Sequence, residues 1–230
     1  MKTFAGSSLA ASVAFAALAL ASVPVQADTT SFDLNGANIA YPGDYASVTV
    51  NRTDSTHATI TFQSLSQGGN LYDLGAQGAV AVNVNAASWS LSSINGSNSG
   101  TGFTPGPWSN GGAGNENGYG SFNQTIDSFD SYTHSSTTIS FILTNTAGTW
   151  SSAGNVLTGN SQGNLAAAHI LVCTVTVGGC DASGSALKTG YAAGNGGSSQ
   201  PTEIPEPNSS SLAVLALCLL GAGFWTRRKA

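Results

Sequence analysis

Apolar and polar residues alternate with a period of two along much of this chain. Val48 and Val50 alternate with Ser47, Thr49 and Asn51. Ala58, Ile60 and Phe62 alternate with Thr59 and Thr61, and Val80, Val82 and Val84 with Ala81 and Asn83. Side chains on a strand point to opposite faces in turn, so each run predicts a half-buried strand. Arg52 to Thr56 is a polar turn between the first two runs and predicts a hairpin of Ala46–Asn51 with His57–Leu65. Thr138 to Thr144 is apolar on both parities near its end and predicts a central strand covered on both faces. His169 to Val177 reads as another strand, and Trp150 to Leu157 as a short helix. Many short strands, Gly-rich connections and no alternating helices predict an all-β fold, an antiparallel β-sandwich of jelly-roll-like type.

Two stretches break the pattern. From Asn95 to Asn123 the chain is rich in Gly, Asn, Ser and Pro, with Phe103, Trp108 and Tyr119 interspersed, which predicts a long loop. Gly184 to Thr202 is a second loose stretch, ending in a linker over 194–203. The domain between the two chain ends is expected to span 28–193.

The ends have a different character. Lys2, the apolar run from Leu9 to Val23 and the small residues Val25 and Ala27 form a secretory signal peptide over 1–27, cut between Ala27 and Asp28. At the other end, Leu212 to Trp225 would span about 21 Å as a helix and Asn208 to Thr226 about 28 Å, against a hydrocarbon core of ~30 Å. This is a barely sufficient transmembrane helix. Arg227, Arg228 and Lys229 would stay cytoplasmic, leaving the intervening domain outside. Before the helix, Pro205 and Pro207 hold Ile204 and Glu206 extended, which makes a stiff strip at the membrane surface.

Pro205, Glu206, Pro207, the apolar helix and the Arg227-Arg228 pair together resemble the PEP-CTERM sorting signal, here over 204–230. Ile204 stands where that family more often has Val, and Asn208 where it more often has a small residue. The resemblance implies export through the general secretion machinery of a Gram-negative bacterium and transient anchoring in the inner membrane with the domain in the periplasm. It further implies cleavage near the Pro-Glu-Pro strip by an exosortase, delivery to the cell surface or exterior, and association with exopolysaccharide and biofilm.

Charge narrows the partners. Over 28–203, Arg52 and Lys188 oppose ten carboxylates, a formal charge of −8. Nucleic acid is excluded, since phosphate binding needs clustered Lys and Arg. Cys173 and Cys180 are the two cysteines outside the C-terminal apolar segment, and an oxidising exterior predicts a disulfide between them worth about 2 to 3 kcal/mol. Zinc is disfavoured, because the pair lacks Cys-x-x-Cys spacing and two ligands would be missing.

Catalytic chemistry is not visible. His57, His134 and His169 stand near no Gly-x-Ser-x-Gly elbow or His-Glu-x-x-His motif. A glycosidase needs two facing carboxylates, and Glu116 is the only Glu well inside the domain. Asp127 and Asp130 are three apart, which does not put both on one strand face, and they read as a solvated acidic turn. Thr59 and Thr61 place hydroxyls about 7 Å apart on one strand face, too few to form a binding array. The domain is therefore expected to be non-enzymatic and to need neither metal nor cofactor. Phe103, Trp108, Glu116 and Tyr119 are the candidate glycan contacts, because aromatic rings stack on pyranose faces while polar groups satisfy hydroxyls. A carbohydrate-binding module is thus the alternative to a purely structural surface protein, and a secreted hydrolase is the third reading.

Overall fold

The computed structural model describes residues 27–174 and 180–197. The signal peptide up to Gln26, Pro205, Glu206, Pro207, the C-terminal helix and Arg227-Arg228 lie outside the described residues, as does most of the expected linker. Thirteen strands follow in order. They are β1 (Asp28–Leu34), β2 (Gly36–Ala37), β3 (Ala46–Arg52), β4 (His57–Ser64), β5 (Ser66–Gln67), β6 (Asn70–Leu74) and β7 (Val80–Val82). After these come β8 (Trp89–Ser97), β9 (Trp108–Glu116), β10 (Gly120–Ser128), β11 (Thr138–Asn145), β12 (Ala166–Thr174) and β13 (Lys188–Gly194). Two single turns of 3-10 helix are the only helical elements among the described residues, so the fold is all-β.

The strands pair antiparallel in two sheets. One runs β1-β3-β4-β11-β8 and the other β2-β13-β12-β7-β10-β9, with β6 beside β12 and β5 beside β6. The sheets enclose one hydrophobic core. Val48, Val50, Ile60, Phe62, Ile139 and Phe141 enter it from the first sheet. Tyr72, Val80, Val82, Ile126, Ile170 and Val172 enter it from the second. Phe62 and Phe141 lie with ring centroids 6.4 Å apart, near the middle of that layer.

The β3–β4 hairpin forms as expected, with Val48 opposite Phe62 and Val50 opposite Ile60. Its turn is closed by Asp54, whose Oδ1 accepts the N–H groups of Thr56 (2.7 Å) and His57 (2.9 Å). The Thr56 N–H and the His57 ring hold that carboxyl well below the usual range.

Five expectations need correction. The expected loop over Asn95–Asn123 ends in the β9–β10 hairpin. Its strand Trp108–Glu116 has no β-branched residue, and its register is set by β10. The turn is made by Asn117 and Gly118, where Tyr119 N–H bonds Glu116 O and Gly118 takes a φ of +92° that only glycine adopts readily. The loose stretch from Gly184 contains β13, whose small residues pair with β12 from Lys188 to Gly194, so the domain extends past 193. Strand β11 buries Ile139, Phe141 and Leu143 but leaves Ile142 half-exposed, so it is covered on one face only. Strand β7, expected to be half-buried, is buried on both parities, as is nearly all of β12. Trp150 to Leu157 makes only one 3-10 turn, at Ala153–Asn155.

At the start of the domain, the Asp28 carboxylate pairs with the buried Arg52 guanidinium and accepts the Ala153 N–H at 2.7 Å. Ala27 is exposed.

Candidate functional site

On the outer side of the second sheet a small cluster of Ala81, Phe122, Ala167 and Ala193 is buried, with Tyr119 packed against it. The sheet curls here. Register shifts between Phe122 and Ile126 mark bulges in β9–β10, and bulges bend a strand pair and increase its twist. The bend brings β9 over toward β13, although β12, β7 and β10 separate them in sheet order. A cleft of about 310 Å³ results, lined by Gln77, Glu116, Thr125, Asp127 and Tyr191. Gln77 and Asp127 also line a second lobe of about 340 Å³, which runs past Pro107, Trp108, Phe129 and Asp130.

Gly78 lies between the two carboxylates. Its N–H donates to Asp127 Oδ1 at 2.9 Å, and a Cβ at this position would collide with the Glu116 carboxylate. Its φ of +63° is a second reason for glycine. Glu116 is 2 % exposed, and its Oε2 has no hydrogen-bond partner among the described residues. Burial, reinforced by the Asp127 carboxylate, pushes Glu116 up to about 8. At neutral pH it is therefore a protonated acid that can donate a hydrogen bond, while Asp127 accepts.

Tyr191 lines the first lobe and stacks on His169, directly opposite it on β12, with centroids 4.6 Å apart. Burial, and then the Glu116 charge, raise the Tyr191 hydroxyl above its ordinary value. Burial lowers His169, against an opposing pull from Asp130, so this imidazole is kept neutral. None of the lining residues is Lys or Arg, so the cleft repels anions.

Two of the four candidate glycan contacts meet in this cleft. Glu116 lines the first lobe and Trp108 the second. Trp108 is half-buried and packs on the main core, with Gly96 and Gly106 lying close against its ring. Phe103 lies elsewhere, edge-on to Tyr132 at 5.2 Å. Tyr119 is turned to the outer apolar cluster, and its carbonyl accepts the side-chain amides of Asn160 and Asn164. Gln77, Asp127, Phe129 and Tyr191 were not singled out for this role. Phe129, 56 % exposed, is the most exposed aromatic side chain among the described residues. Asp127 and Asp130 both line the second lobe because β10 ends at Ser128, so strand alternation does not govern Asp130.

Cys173 and Cys180 are disulfide-bonded, with Cα atoms 6.1 Å apart. Among the described residues no helix is long and apolar enough to cross a membrane. No family model matches the chain, and no curated protein or solved structure matches it either.

Proposed function

We propose that this is an exported, non-enzymatic protein of the cell surface or extracellular matrix, released from its membrane tail by an exosortase, which holds neutral matrix polysaccharide in the Gln77–Asp127 cleft. The observation that carries the binding role is the Glu116 carboxyl. A buried acid with one oxygen unpartnered among the described residues costs stability unless something occupies that position, and it lies in a cleft with Asp127, Thr125 and Gln77. A sugar hydroxyl both gives and takes hydrogen bonds. Phe129 and the accessible part of Trp108 offer apolar surface for a pyranose face in the adjoining lobe. The export role rests on the two chain ends, which follow the order of a signal peptide and a PEP-CTERM tail.

Binding of the purified protein to exopolysaccharide from its own cells tests the cleft. Glu116→Gln keeps a donor and an acceptor and should retain binding. Glu116→Ala and Phe129→Ala should each weaken it by about tenfold, the loss of one good hydrogen bond or stacking contact. Binding unchanged in both alanine variants removes the cleft from the function. Release of new reducing ends during incubation would favour a hydrolase using Glu116 and Asp127. Deleting the exosortase should leave a longer, membrane-bound species, and unchanged size and fractionation refute the sorting role.

A further inference from the structure

The disulfide has a third neighbour that the chain order conceals. On β6 and β12, Asp73 is opposite Leu171 and Cys173 is opposite Leu71, so Asp73 and Cys173 project from the same side of the paired strands. Cys180 is tied to the segment above them by Thr101 N–H bonding to its carbonyl at 2.9 Å. One carboxylate oxygen of Asp73 and both sulfurs lie within 4.8 Å of one another. All three side chains are buried, and Asp73 is fully so.

The surroundings orient the carboxylate without neutralising it. Ser135 Oγ donates to Asp73 Oδ2 at 3.1 Å, and the Asn98 amide donates to Ser135 O at 3.0 Å. Asp73 Oδ1 is buried with no hydrogen-bond partner among the described residues, and neither ion pair found there involves Asp73. A buried carboxyl with Oδ2 bonded by Ser135 and Oδ1 unpartnered, beside two sulfurs, matches the donor set of a thiolate–carboxylate metal site once the disulfide is open, with Ser135 as the outer partner that fixes the ligand.

We propose that the dithiol form of this protein binds a divalent, thiolate-preferring ion of the zinc class through Cys173 Sγ, Cys180 Sγ and one Asp73 oxygen, with water as fourth ligand. The disulfide is then the metal-free form of the same site. A dithiol reductant supplies two electrons and two protons to open the S–S bond and leaves as its own disulfide. The ion then displaces the two thiol protons as both sulfurs bind as thiolates. Two Zn–S bonds of ~2.3 Å in tetrahedral geometry need the sulfurs about 3.8 Å apart, a separation open to them only after the disulfide is reduced.

The test uses the full chain with Cys218→Ser, which removes the only other thiol. The protein is reduced with a phosphine, desalted without oxygen and titrated with cobalt(II). One equivalent should produce thiolate-to-cobalt charge transfer and tetrahedral d–d bands, both bleached by zinc, while the oxidised protein produces neither. Asp73→Asn should weaken cobalt binding by about tenfold or more, whereas Ser135→Ala should keep the charge-transfer band. A reduced protein that stays folded by circular dichroism yet shows no charge transfer overturns the proposal, as does unchanged affinity and spectrum in Asp73→Asn. X-ray absorption of the zinc-loaded, Cys218→Ser protein gives the answer without the Asp73 variant. Two sulfur and two lighter scatterers support the site, and any other sulfur count refutes it.

Discussion

The outer faces of the two sheets are built from the same short polar and small residues, yet they meet different surroundings. On the first sheet Ser31, Thr49, Thr61, Ser140 and Asn95 follow one another across five strands, and Thr61 and Ser140 share a hydrogen bond of 3.2 Å. The residues of this row stay partly exposed. On the second sheet β9 curls toward β13 over Glu116, the segments of Asn98, Ser135 and Cys180 cover Asp73, and both carboxyls lose almost all contact with water. Hydroxyls at a wet surface remain ordinary, whereas carboxyls under a cover change their protonation and seek partners. Chemistry in this molecule is created by what the chain lays on top of a strand more than by the strand's own residues.

The strongest way to break the comparison is in the layer both sheets share. Phe62→Ala removes a fully buried ring from between them and should cost about 4 kcal/mol in chemical denaturation. A much smaller loss would mean that the sheets do not depend on a common core.

Next is the covered face. Glu116 is raised from 4.5 to about 8, so its neutral form favours the folded state. The stability this gives is complete below pH 4.5, falls as pH rises toward 8 and is gone above it. Glu116→Gln should flatten that decline, leaving the variant more stable than the natural chain at pH 9 by on the order of a few kcal/mol. Parallel pH curves for the two proteins would show that Glu116 is solvated. Asp73, raised to about 6 by burial against the lowering effect of its Ser135 and Asn98 hydrogen bonds, titrates in both proteins and cancels in the difference.

The smallest effect belongs to the open face. Thr61→Val should change stability by less than about 0.5 kcal/mol at every pH. A larger change would give the hydroxyl row a structural role and weaken the contrast between the two faces.

The first sheet was legible because its strands bury one face. Alternation in Ser47–Asn51 and Ala58–Phe62 states which side is inward, and the Asp54 turn states where the chain reverses. The second sheet hides its pattern. Ala166, Ala167 and Ala168 are all buried, so no period marks the strand, and β9 reads as Gly and Asn, with a Cβ at Gly111 or Gly114 blocked by Thr125 of β10. The site was half legible for the same reason. Trp108 and Glu116 stand out as an aromatic and an acid in a Gly-rich stretch, but Gln77 reaches the cleft from the turn between β6 and β7, and Tyr191 from β13, both distant in sequence. The Asn117-Gly118 turn was the available signal that β9 and β10 form a hairpin, and with it Asp127 could have been placed on the strand facing Glu116.

Strand β2, near the start of the domain, has one partner in its sheet. That partner is β13, so Gly36 and Ala37 wait for Ala193 and Ala192, more than 150 residues later, and Gly194 then lies against the Asp33 backbone. Closure is therefore a late event. A chain whose second and last strands complete each other pays most of its loop-closure entropy before the final contacts form, and such topologies fold slowly. For a chain made from its N-terminus this amounts to a timer: the edge of the second sheet cannot close until the last strand has emerged.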